Sequence, residues 1–205
     1  ATVSSGQISY TDTGVEGGRS YYYRVAAVGT GGVESNLTEG TSIFTYPSSL
    51  SVDIQRTFVS PSTAQGYRLV ALPGAAGEPL SAAIDGEAGT DWQAWWDDGS
   101  SQDYLRKYDD SDRFAFRPGR GFWLLKRSDW TAERSVETVP LSGQQQTSIP
   151  LHDGWNIISN PFGGNVTWAQ VDAAHSDSLR ALWRFDGSFA QRARNWSAST
   201  GSRWG

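Results

Sequence analysis

The sequence predicts an all-β chain in which a first β segment precedes two copies of a small antiparallel β module, each with one short helix. Three observations carry that prediction. The 205 residues include 23 Gly and 8 Pro, the punctuation of many short strands joined by turns rather than of long helices. Apolar residues recur at period two, most clearly at Tyr21, Tyr23, Val25 and Ala27, and that period sorts side chains onto opposite faces of a strand. One stretch is also used twice. Gly66 to Pro73 reads as a strand running into a proline stop, and Gly154 to Pro161 reads the same way 88 residues later. At that spacing Trp95 falls on Trp183, Asp98-Gly99-Ser100 on Asp186-Gly187-Ser188, and Tyr108 on Trp196. A constant offset without gaps points to internal duplication.

Composition bounds the function as well as the fold. Hydrophobic residues make up only 38%, but 10 Trp, 8 Tyr and 8 Phe supply the bulk for a core. A net charge of −5 lacks the basic stripe that nucleic-acid binding needs, so no nucleic-acid partner is expected. With no cysteine, neither a disulfide framework nor a thiolate metal site can form. No run approaches the roughly 18 apolar residues of a membrane span. The chain begins at Ala1, has no methionine and shows no signal peptide, so it is expected to be a piece of a longer polypeptide.

In chain order, Ile8 to Asp12 is a short alternating strand. The run from Tyr21 to Ala27 is a second strand, Gly29, Gly31 and Gly32 make a turn, and Ser42 to Tyr46 closes the segment before Pro47. These residues resemble the C-terminal half of a fibronectin type III domain, over about residues 1–47. That family's tyrosine corner reads Leu-x-Pro-Gly-x-x-Tyr. Here Val15 stands for the leucine and Gly17 for the proline, while Gly18 and Tyr21 match. Tyr21-x-Tyr23-x-Val25-x-Ala27 is similar to the family's F strand, and Gly32-Val33-Glu34-Ser35 to its F–G turn. The resemblance implies a half sandwich, with the Tyr21 hydroxyl bonded to upstream backbone. It also implies that another segment, from the same long polypeptide or a neighbouring chain, covers Tyr21, Tyr23 and Val25.

Residues 48–65 are polar and serine-rich and read as a connector holding one strand over 52–58. The first β module spans 66–141. Glu78 to Gly86 suits a short helix, with Pro79 in its first turn and Gly86 beyond its end. Trp92 to Trp96 and Tyr104 to Tyr108 flank an Asp-Asp-Gly turn as a hairpin. Phe114 to Phe116 and Phe122 to Leu125 complete the module, and strands are expected over 136–141 and 147–151. The second module spans 142–205 and is truncated, its helix beginning near Asn165. The patterns Tyr67-Arg68-Leu69-Val70-x-Leu72-Pro73-Gly74, Asp91-Trp92-x-x-Trp95 and Pro118-Gly119-Arg120-Gly121-Phe122-Trp123-Leu124-Leu125 resemble uncharacterised β-rich modules of long bacterial secreted or surface proteins. That resemblance implies a secreted or cell-surface location and no particular chemistry.

No catalytic residue is expected. His152 and His175 are the two imidazoles, and neither sits in a nucleophile motif. Asp97, Asp98 and Asp103 offer hard oxygen ligands in one loop and are the candidate metal ligands, for calcium, although the loop lacks EF-hand spacing. No other cofactor is called for. The tryptophans carry the remaining functional signal, because exposed indole faces stack on sugar rings. Trp95 and Trp183 share a repeat position and are assigned to the core. Trp92 and Trp96 are the candidate carbohydrate platforms, the second being replaced by Arg184 in the other copy. The expected function is a non-catalytic structural or adhesive region of a bacterial extracellular protein. The alternative is a carbohydrate-binding accessory region of a larger secreted hydrolase, with polysaccharide as a partner.

Overall fold

The computed structural model describes residues 2–59, 63–100, 104–141, 146–175, 181–185, 187–192 and 197–198. Asp103, Asp186, Trp196 and Trp204 lie outside the described residues. The chain forms two compact units, residues 1–48 and 49–205.

The first unit is a two-stranded antiparallel ribbon of β1 (Ser20–Tyr23) and β2 (Thr41–Phe44), with Tyr21 opposite Ile43. The Tyr21 hydroxyl accepts the Glu16 N–H at 2.7 Å, and the Tyr23 hydroxyl donates to Asp12 at 3.0 Å. The two phenol rings stack at 6.4 Å on one face of β1. The ladder with β2 ends at Tyr23; beyond it the Val25 and Ala27 carbonyls accept the Thr38 and Ser35 N–H groups at 2.8 Å, Val28 bridges Glu34, and the Val25 side chain is exposed. Among the described residues of this unit none is fully buried, so no core forms within it. A two-stranded ribbon without a core is marginal in water.

The second unit is built on two sheets. The sheet of β3 (Ser49–Arg56) and β8 (Trp130–Glu137) is antiparallel, with Val52 opposite Arg134. The other sheet has strand order β4-β7-β5-β6, from β4 (Tyr67–Val70), β5 (Trp92–Asp97), β6 (Leu105–Lys107) and β7 (Phe122–Lys126). The segment 48–65 is therefore no mere connector. Ser49 and Ser51 belong to the solvent half of an amphipathic strand, since Leu50, Val52 and Ile54 alternate with its exposed residues and are buried. The strand expected over 136–141 instead runs from Trp130 to Glu137, and 147–151 forms none.

Between the sheets, Val52, Ile54, Val70, Leu72, Trp92, Ala94, Phe122, Leu124, Trp130 and Ala132 form one core with Phe114 and Phe116. The helix α1 (Leu80–Ala83) closes it with Leu80, Ala83 and Ile84. Trp130 is fully buried, stacks on Phe116 at 6.0 Å and donates its indole N–H to the Ala83 carbonyl at 2.9 Å. That one residue ties the two-stranded sheet to the helix. At the end of β7 the buried Lys126 ammonium donates to Asp85 at 3.2 Å and to the Ser128 hydroxyl at 2.6 Å. A buried cation needs such partners to remain charged.

The remaining elements are β9 (Val166–Thr167), α2 (Trp168–Ala174), β10 (Trp183–Phe185), β11 (Phe189–Gln191) and β12 (Ser197–Ala198). Thr167 and Gln170 form a capping box that starts α2. Leu80 and Trp168 begin the two helices 88 residues apart, and both are buried. β10 and β11 form a hairpin, as β5 and β6 do, with Gly187 and Gly99 at φ +79° and +71°. Three residues join β10 to β11, whereas seven join β5 to β6. The two hairpin turns thus differ in length, and Trp196, 88 residues after Tyr108, lies outside the described residues. β9 pairs with β12 just ahead of α2, where Pro79 bridges Ala115 just ahead of α1. The pairings also differ. β5 is flanked by both β6 and β7, while Ile158, 88 residues after Val70, makes a single bridge to Arg120. Among the described residues no helix is long and apolar enough to cross a membrane.

Candidate aromatic binding site

Period two decides which side chains leave the core. On β5 the residues Trp92, Ala94 and Trp96 face inward, so Gln93, Trp95 and Asp97 take the opposite face. On β7, Phe122 and Leu124 are in the core, and Trp123 and Leu125 turn outward. The register then sets Trp95 directly opposite Trp123 on one side and Lys107 on the other. Tyr67 on β4 stands opposite Leu125, and Leu105 on β6 opposite Asp97. The outer face of this sheet is consequently aromatic at its centre and polar at its margins.

Over it lies a cleft of about 360 Å³ lined by Tyr67, Trp95, Leu105, Trp123 and Phe185. Tyr67 is tilted against Trp95 at 5.4 Å and meets Trp123 edge-on at 6.4 Å. Phe185, from β10, packs edge-on against Trp123 at 4.8 Å. The rings continue through Phe189, 5.1 Å from Phe185, to Trp155 at 6.0 Å and on to Trp183 at 6.2 Å. Trp155 and Phe189 are 63% and 56% exposed, so the track opens to solvent along its length.

Trp92, expected as a platform, is buried at 3% exposure. Its indole N–H donates to the Gly86 carbonyl at 3.0 Å, and its ring meets Tyr108 at 4.8 Å. Trp96, the other platform candidate, is half-buried against the core, and the Arg120 guanidinium sits 4.3 Å from its ring centroid. Partial burial, with Arg117 nearby, lowers the pKa of Arg120 from its ordinary value. The face of Trp96 is thus occupied by a cation from its own chain. Trp95 and Trp183, expected in the core, are instead half-buried and exposed on the aromatic track. The reversal is one of parity: β5 carries bulky aromatics on both faces.

Asp97 and Asp98 serve as turn caps. Asp97 accepts the Gly99 N–H at 3.0 Å, and His152 Nε2 lies 3.7 Å from its Oδ1. Asp98 accepts the Ser100 N–H at 3.0 Å and the Arg106 Nε–H at 2.6 Å. The Arg106 hydrogen bond above all, then the Ser100 amide, holds the Asp98 carboxyl down at about 2. Among the described residues no three His, Cys, Asp or Glu side chains converge as a metal group. Asp97 and Asp98 both have protein partners, and the third candidate, Asp103, lies outside the described residues.

Sequence reasoning did not single out Tyr67, Leu105, Trp123 or Phe185. The alternation in Phe122-Trp123-Leu124-Leu125 was the available signal, but cross-strand register is needed to bring Trp123 to Trp95. A scan against protein-family models, a search of curated proteins and a search of solved structures each return no match.

Proposed function

We propose that this chain is a non-catalytic adhesive and structural region of a bacterial extracellular or cell-surface protein. One observation carries the reading: a polar, acidic chain presents a continuous track of aromatic rings from Tyr67 to Trp183 on the outside of its second unit. Contiguous exposed apolar surface marks an interaction site. The bond from the Glu16 amide to the Tyr21 hydroxyl supports a fibronectin type III-like reading of the first unit. In that reading its uncovered strands meet another segment of the same polypeptide or a neighbouring chain. The matching helix starts at Leu80 and Trp168, with matching hairpins behind them, support a duplicated β module in the second unit.

The alternative, a carbohydrate-binding accessory region beside a hydrolase, is favoured by the cleft itself, whose walls are indole and phenol rings. One experiment addresses both readings. Purified chain is incubated with insoluble polysaccharides and with bacterial cell-wall preparations, and both protein depletion and newly released reducing ends are measured. Depletion without release is the expected result. Release of reducing ends would overturn the non-catalytic reading, and no depletion on any surface would overturn the adhesive one.

A further inference from the structure

Trp95 has a chemically distinctive neighbourhood. One flank is aromatic: Trp123 directly across the strand and Tyr67 at 5.4 Å. The other flanks are polar: Gln93 two residues before it on the same face, Asp97 two residues after it, and Lys107 across the opposite strand. Among the described residues neither the Lys107 ammonium nor the Tyr67 hydroxyl has a hydrogen-bond partner; Tyr67 lines the cleft, Lys107 stands across from Trp95 on the same face, and the Gln93 amide donates to the Ala94 carbonyl at 3.4 Å.

We infer that this cleft is a saccharide-binding site in which a pyranose stacks on Trp95 and packs against Trp123 while Lys107, Gln93 and the Tyr67 hydroxyl bond its ring substituents. The inference rests on the adhesive reading above and names its ligand class. A pyranose has an apolar C–H face and a rim of hydroxyls, and this site offers aromatic walls inclined to one another, Tyr67 at 49° to Trp95 and 86° to Trp123, with polar side chains on the same sheet face. Binding pockets in general combine mostly apolar walls with a few placed polar groups. A purely apolar ligand would leave the ammonium and the phenol unused and partly desolvated, which costs affinity. The track onward through Phe185, Phe189 and Trp155 suits a chain of sugars rather than one ring. Its occupant is therefore a polysaccharide strand.

The test is a titration of the full chain with soluble β-glucan, xylan, mannan and chitooligosaccharides, read by tryptophan fluorescence and affinity electrophoresis. At least one is expected to bind. Trp95→Ala and Trp123→Ala should each weaken that binding at least about tenfold, the loss of one central anchor. Trp95→Phe keeps a stacking ring and should retain most of the affinity. Lys107→Ala, at an exposed position that cannot unfold the unit, should weaken binding about threefold or more, a lost polar contact of modest worth. Tyr22→Ala in the first unit should change nothing. Binding that survives both cleft substitutions overturns this site while leaving the adhesive reading in place. Binding to cell-wall material with none to any saccharide of the panel overturns the ligand class alone.

Discussion

The parity of β5 can be tested by comparing two tryptophans three residues apart. Trp92 is 3% exposed, packs edge-on against Tyr108 at 4.8 Å and donates to the Gly86 carbonyl at 3.0 Å. Truncating a buried tryptophan to alanine costs about 3–5 kcal/mol, a range that includes the cavity left behind. Gly86 is exposed, so its freed carbonyl can turn to water and adds little. We therefore expect Trp92→Ala to destabilise the second unit by about 4 kcal/mol. For a domain of this size that lowers Tm by about 8–16 °C, at 2–4 °C per kcal/mol. Trp95 is half-buried and faces the cleft, so Trp95→Ala should cost about 1 kcal/mol, near the middle of the range for single substitutions. Urea unfolding followed by far-UV circular dichroism compares the two midpoints, with unchanged slopes confirming that the same surface is exposed. If Trp95→Ala proves the more damaging, the inward and outward faces of β5 have been exchanged and the cleft does not exist as described.

Two further outcomes follow from local geometry. Gly74 has φ +76°, and an added Cβ would lie 2.4 Å from the Glu137 carbonyl oxygen. Gly74→Ala should therefore cost about 2 kcal/mol or more by urea unfolding, from the left-handed backbone penalty and the displaced end of β8; a neutral effect would refute this loop path. The Asp98 carboxyl, held at about 2 chiefly by Arg106 and so below its ordinary value of 3.8, gives a signed pH dependence. Its folded-state pKa is depressed, so its stabilisation is present above the unfolded value and is lost as pH falls from about 4 towards 2. Arg106→Leu should move the Asp98 titration, followed by carboxyl-carbon NMR, up towards the ordinary range; an unmoved titration would show that the Ser100 amide alone suffices.

Several elements were legible because local chemistry determines them. The Asp98-Gly99 turn needs a left-handed residue, and Gly99 supplies it at φ +71°. The short helices begin where a proline or a threonine stands before an apolar i, i+3 pair, at Leu80 and Ala83 and at Trp168 and Val171. The strand β3 was half-hidden, because Ser49 and Ser51 suggest a linker until Leu50, Val52 and Ile54 are seen to alternate with them. The strand β8 was misplaced, since Thr131, Glu133 and Ser135 dilute the apolar signal of Trp130 and Ala132. What covers these strands comes from far along the chain. β3 and β8 pair across more than seventy residues, and that distance leaves no local trace.

The site was less legible, and the reason lies in how the two hairpins share one face. The 88-residue spacing of Trp95 and Trp183 predicts burial for both, yet Trp95 is half-buried and Trp183 exposed, each on the outer side of its hairpin. Packing each hairpin with its outer face towards the same aromatic track makes a shared position a surface position. The asymmetry that shapes the cleft arises one step along each strand. Asp97 of β5 and Phe185 of β10 occupy the same offset, and only the phenylalanine can lie against Trp123, at 4.8 Å. In the β5 hairpin the carboxylate turns instead to the Gly99 amide and His152. An acid at one of these positions and an aromatic at the other thus give one hairpin a polar margin and the other an apolar wall. The cleft between Trp95, Trp123 and Phe185 is the space bounded by that difference.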